Sequence, residues 1–134
     1  MNKRIFLEAF TEMVHGKRLH EETIKLIMSN AIKVAKVGHA FIRKVALTLK
    51  FNPDDKNIYS LFYAGVTGDC EERLDQHNTE NTAKRCWDCQ HYLAALVVEK
   101  YFHKLGCEGG EPRATRKSTK FYLYYITDET DEDA

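Results

Sequence analysis

A chain of 134 residues, 43% hydrophobic and 30% charged, suits one globular domain with a sizeable core and leaves no room for a second full one. Lys and Arg together number 20, as do Asp and Glu, so the formal net charge is zero and any nucleic-acid contact needs a local basic patch. No apolar run is long enough to cross a bilayer, and the first residues lead into an amphipathic segment with Glu8 and Glu12, not a secretory leader; the expectation is a cytoplasmic protein without a membrane partner.

Phe6, Phe10, Met13 and Val14 recur at helical spacing over residues 5–14, and His15-Gly16-Lys17 breaks the run. A second helix is predicted over 21–36, where Ile24, Ile27, Met28, Ala31, Val34 and Ala35 trace one face, Glu21 and Glu22 occupy the first turn and Gly38 stands as the stop. Residues 1–37 therefore read as a helical hairpin, which either covers its own domain or forms the contact of a homo-oligomer. Over 39–51, Val45, Leu47 and Leu49 alternate with Ala46, Thr48 and Lys50, a strand period; the turn Asn52-Pro53-Asp54-Asp55-Lys56-Asn57 should bring 58–66 back against it.

The stretch Leu61-Phe62-Tyr63-Ala64-Gly65-Val66-Thr67-Gly68-Asp69 hands a strand to a turn and then to a helix bearing Arg73 and His77, four residues apart on one face. Residues 78–84 are polar loop, and Arg85-Cys86-Trp87 is either a short strand or the lead-in to the next helix. That helix, over 88–105, is carried by Tyr92, Leu93, Ala95, Leu96, Phe102 and Leu105, with Asp88 as its expected N-cap and Gly106 as its stop. A Gly109-Gly110 loop, a basic run with Arg113, Arg116, Lys117 and Lys120, and a tyrosine-rich strand over 121–127 follow. Residues 38–127 thus form an α+β domain, a small central antiparallel sheet with helices packed on it. The acidic tail, 128–134, is expected to be disordered, serving solubility or mimicking a phosphate within the chain.

Four cysteines without a secretory signal read as reduced thiols or metal ligands. Cys86 and Cys89 followed by His103 and Cys107 have zinc-module spacing, but a continuous helix between the pairs separates them by on the order of 20 Å, too far for one tetrahedral ion. A site from Cys70, Cys86, Cys89 and His91 stays open; zinc is the less favoured reading, since Cys is often a small buried hydrophobe.

Tyr63-Ala64-Gly65 in a strand, Arg73 and His77 on the next helix, and Glu99 within Ala94-Ala95-Leu96-Val97-Val98-Glu99-Lys100-Tyr101-Phe102 resemble, in order and spacing, the GIY-YIG nuclease domain over about residues 39–110. The resemblance implies Tyr63, Arg73, His77 and Glu99 as catalytic residues, Gly65 as part of the second motif, and one Mg²⁺ or Mn²⁺ on Glu99. The first motif, a Gly-Ile-Tyr in the preceding strand, has no counterpart in Ala46-Leu47-Thr48-Leu49-Lys50-Phe51; Tyr59 is the candidate substitute. A phosphodiester hydrolase needs what these residues offer: positive charge for the phosphoryl oxygens, a carboxylate-held metal, and a phenol or imidazole for the water's proton. An inward-facing Glu99 needs either Arg73 or a metal as partner.

Two functions compete. One is a metal-dependent nuclease or phosphodiesterase, with Gly65, Arg113, Arg116, Lys117 and Lys120 contacting phosphate. The other is a non-catalytic module, oligomeric through the N-terminal helices, that captures a nucleic-acid end or small nucleotide. A protein-interaction domain using the tyrosines and the acidic tail is the third possibility.

Overall fold

The longest element is one that the residue pattern divides in two. In the computed structural model, which describes every residue but Pro112 and Arg113, helix α2 runs unbroken over Glu21–Thr48. Its buried residues, Ile27, Asn30, Ala31, Val34, Ala35, Gly38, Phe41, Ile42, Val45 and Ala46, keep the three-and-four spacing of one helix face to the end. The strand expected over 39–51, its hairpin with 58–66, and the helix stop at Gly38 are therefore corrected. The β-like alternation around Val45 came from reading Leu47 and Leu49 as inward, whereas both are exposed. Gly38 serves contact rather than termination: a Cβ there would lie 2.8 Å from the Phe102 ring, so the missing side chain lets α2 pass close to a later helix.

Helix α1, Lys3–Val14, is capped by the Asn2 side chain, which accepts from the Ile5 amide at 3.1 Å, and buries Phe6 and Ala9. It lies against α4, Tyr92–Leu105, where Phe6 meets Tyr101 edge to face and Glu12 pairs with Lys104 at 2.8 Å. The expected N-cap of α4, Asp88, is replaced by His91, whose Nδ1 accepts from the Leu93 amide; Asp88 accepts instead from Gln90 one turn earlier. Gly106 ends α4 as expected.

Residues Lys56–Leu61 form a 3₁₀ turn that delivers β1, Phe62–Thr67; α3, Cys70–Gln76, follows, then β2, Lys84–Asp88, and β3, Lys120–Tyr125. The fold is α+β, with a three-stranded antiparallel sheet in the order β1-β3-β2, so the last strand in sequence is central. Register places Tyr63 opposite Tyr124 and Gly65 opposite Tyr122, while Phe62, Ala64, Phe121 and Leu123 point the other way, into the main core under α2 and α4. One face is thus covered by helices. The other holds Tyr63, Tyr122, Tyr124 and Leu74 under α3. Among the described residues, no helix is long and apolar enough to cross a membrane.

The acidic tail, expected to be disordered, is docked. The Asp131 amide donates to the His77 carbonyl at 2.7 Å, and the Asn78 side chain donates to the Glu129 carbonyl at 2.7 Å.

Candidate functional site

The second face of the sheet carries the chemistry because β3 alternates. Tyr122 and Tyr124 are two residues apart, so both project onto the face that receives Tyr63 and Gly65 from β1. Tyr63 and Tyr124 stack with centroids 5.1 Å apart, and His77 comes within 4.6 Å of the Tyr63 ring. Gly65 makes this possible: a side chain there would overlap the Tyr122 ring and hydroxyl. Its role is close approach in mid-strand, not a turn.

Asp69 starts α3 by accepting from the Glu72 amide at 3.1 Å, and the helix then sends Leu74 and His77 inward and Arg73 to the rim. His77 is fully buried. Its Nδ1 lies 2.6 Å from the Asp131 carbonyl, which can only accept, so Nδ1 carries the proton and the free Nε2 accepts from the Tyr122 hydroxyl at 2.9 Å. Burial pushes the His77 pKa down, and Arg73 adds to this against the opposing Asp131 carbonyl and the Glu132 and Asp131 charges; the ring is held neutral. Burial and the neighbouring Tyr63 push the Tyr122 phenol up, and the Arg73 guanidinium beside it tempers the rise.

Tyr63, Gly65, Arg73, Glu99 and Tyr122 line one cleft of about 520 Å³, together with Glu111, Ser118 and the tail residues Glu132, Asp133 and Ala134. The structure therefore brings Tyr63, Gly65, Arg73 and Glu99 together and sets His77 behind them. Arg73 also lines a second cleft, which it shares with Lys117 and with the carboxylates Asp69 and Glu72. Arg116 and Lys120 line neither cleft: Arg116 is exposed in a turn, and Lys120 lies within β3 opposite Thr67. Arg113 lies outside the described residues.

Glu99 is 5% exposed, and among the described residues it makes no ion pair with Arg73, which donates instead to Gln76 at 2.8 Å and to the Ala134 carbonyl at 2.7 Å. Burial, and then the charge of Glu111, push its carboxyl up to about 8, against the opposing Lys100 and the Val66 amide. A buried carboxyl with a second carboxylate nearby either keeps its proton or takes a cation. That donor chemistry fits a hard divalent ion bound through one or two carboxylates and water, as Mg²⁺ prefers. Among the described residues no three of His, Cys, Asp and Glu gather around a common point.

Tyr59 does not enter the cleft. It packs on His39 of α2, edge to face at 5.9 Å, under the helix-covered side of the sheet, so the substitution expected of it is corrected. The tyrosines adjoining Tyr63 are instead Tyr122 and Tyr124, supplied by the strand that pairs with β1; the sequence signal was their two-residue spacing. Cys70 and Cys86, read from the sequence as thiols or ligands, are joined as a disulfide between α3 and β2, their Cα atoms 6.4 Å apart. Cys89 and Cys107 are buried, and burial pushes the Cys89 thiol up to about 12 and the Cys107 thiol higher still, as in inert core cysteines.

Compared with known proteins, the chain matches no family model, no curated protein and no solved structure.

Proposed function

We propose that the Tyr63–Arg73–Glu99 cleft receives the phosphate of a phosphodiester and that the protein is a divergent GIY-YIG-like nuclease acting on nucleic acid. The observation that carries this reading is convergence: residues 36 positions apart in sequence, Tyr63 and Glu99, meet Arg73 at one cleft. Arg73 neutralises the non-bridging phosphoryl oxygens. The Tyr122 oxygen takes a proton from the attacking water while its own proton passes to His77 Nε2; the resulting imidazolium keeps its Nδ1–H on the Asp131 carbonyl. Glu99 is the residue that would hold Mg²⁺ or Mn²⁺, and the cation, when bound, supplies Lewis-acid charge to the phosphoryl group.

Plasmid or RNA incubated with Mg²⁺ or Mn²⁺ tests this. Wild type should cleave, Arg73→Ala should lower the rate by roughly 10²–10³-fold as loss of an oxyanion donor does elsewhere, and Glu99→Ala should abolish metal dependence. Wild-type cleavage no greater than that of the variants sinks the nuclease reading.

One observation favours a second reading. A carboxyl that titrates at about 8 keeps its proton at neutral pH, and a protonated Glu99 donates a hydrogen bond to phosphate without any metal. The protein would then be a binding module for a nucleotide or nucleic-acid end, associating with its own copies through Leu7, Leu26 and Val37, which are exposed on α1 and α2. Phosphate ligands should raise its melting temperature in the presence of chelator, and the effect should fade as pH passes 8. Metal-dependent stabilisation alone would exclude this reading.

A further inference from the structure

The acidic tail is attached in two ways that differ in strength. Residues 127–131 are an anchor: Asp131 exchanges two bonds with buried His77, and Glu129 accepts from Asn78. Residues 132–134 extend past this anchor over the cleft. There Glu132 accepts from the Tyr124 hydroxyl at 2.8 Å, and the Ala134 carbonyl accepts from Arg73 Nη2 at 2.7 Å. Asp133 and Ala134 are exposed, and among the described residues the one bond from this outer part to the anchor is the Asp133 amide donating to the exposed Asp131 carboxylate at 3.0 Å, so it can leave while both His77 bonds stay.

We infer that residues 132–134 are an internal competitor, an acidic strap seated where a phosphate ligand binds and displaced when it enters. Its chemistry matches the seat it takes: the Glu132 and Asp133 carboxylates line the cleft, and the Ala134 main-chain oxygen holds Arg73, the cation an incoming anion would need. A strap seated most of the time reduces apparent affinity by the fraction of molecules left open. It also repels a second anion, so the ligand must displace it and cannot bind beside it.

The inference rests on the phosphate reading of the cleft, and the test separates the two. A chain stopped after Asp131 keeps the anchor and loses the strap. Binding of a labelled peptide of the sequence 127–134, and of a short labelled single-stranded oligonucleotide, is measured by fluorescence anisotropy on the full chain, the shortened chain and the shortened chain with Arg73→Ala. Both probes should bind the shortened chain about tenfold more tightly than the full chain, as for a seat open roughly one-tenth of the time. Arg73→Ala should remove the gain, and full-length Glu132→Gln should show part of it. Equal peptide binding to full and shortened chains, with unchanged melting curves, overturns the strap. Tighter peptide binding with no oligonucleotide binding to any form keeps the seat and overturns the phosphate reading.

Discussion

Glu99→Gln is expected to stabilise the protein by about 2–4 kcal/mol at pH 8, on the order of 10 °C in melting temperature, and by almost nothing at pH 4. The sign follows from the folded carboxyl titrating at about 8 against an ordinary 4.5. Below 4.5 both folded and unfolded chains carry the proton and the site costs nothing. Between 4.5 and 8 the unfolded chain releases its proton and the folded chain does not, so stability falls with rising pH; above 8 the loss is complete. Glutamine keeps the shape and a donor but cannot ionise. His39, which burial pushes down to about 4, and His77, also lowered, slope the other way, since the unfolded state binds their protons first as pH falls through 6.5. Their contributions cancel in the difference between wild type and Glu99→Gln, which is why that difference, measured by thermal or urea unfolding across pH, is the quantity to read. A gain of equal size at pH 4 would place its cause in packing. Mn²⁺ adds a second arm: if Glu99 holds the ion, millimolar Mn²⁺ should stabilise wild type at pH 8 and leave Glu99→Gln unmoved.

What residue patterns reveal is local, and the site was legible where its members lie on local signals. Arg73 and His77 lie four residues apart at the α3 end, Glu99 sits beside an apolar stripe, and the strand-turn-helix around Tyr63 is punctuated by Thr67-Gly68-Asp69; each is a local signal. Pairing was not legible. Nothing in the chain near Tyr63 says that its neighbour in the sheet is β3, some 60 residues later, because antiparallel partners at that separation are chosen by the shared core and not by an intervening turn. With 39–51 read as the pairing strand, Tyr59 stands as the candidate phenol, and the tyrosines of 121–127 count only toward a partner-binding surface. The docked tail is illegible for a related reason: its composition is that of a disordered segment, but its bonds to His77 and Asn78 use main-chain atoms, on which composition is silent.

Gly65→Ala should cost about 2–4 kcal/mol in stability and remove phosphate binding as well, the joint loss expected where overpacking strikes a site residue. The added methyl would overlap the Tyr122 hydroxyl and ring, with Cε1 only 2.8 Å away, and that ring cannot swing aside: it is 1% exposed and its hydroxyl is held by His77. Either β1 parts from β3 or Tyr122 leaves the imidazole. Gly38→Ala is the control, because its methyl would meet Phe102 in the helix-covered core; it should lower stability while leaving ligand affinity within about twofold. Pairing with Tyr122 separates the two consequences. Tyr122→Phe removes only the oxygen and leaves the ring in the way, so Gly65→Ala should remain as costly in that background, whereas Tyr122→Leu removes the ring and should make it nearly free. An additive cycle between Gly65→Ala and Tyr122→Leu would mean that the glycine is tolerated for some other reason, and the placement of Tyr122 against His77 would lose its steric basis.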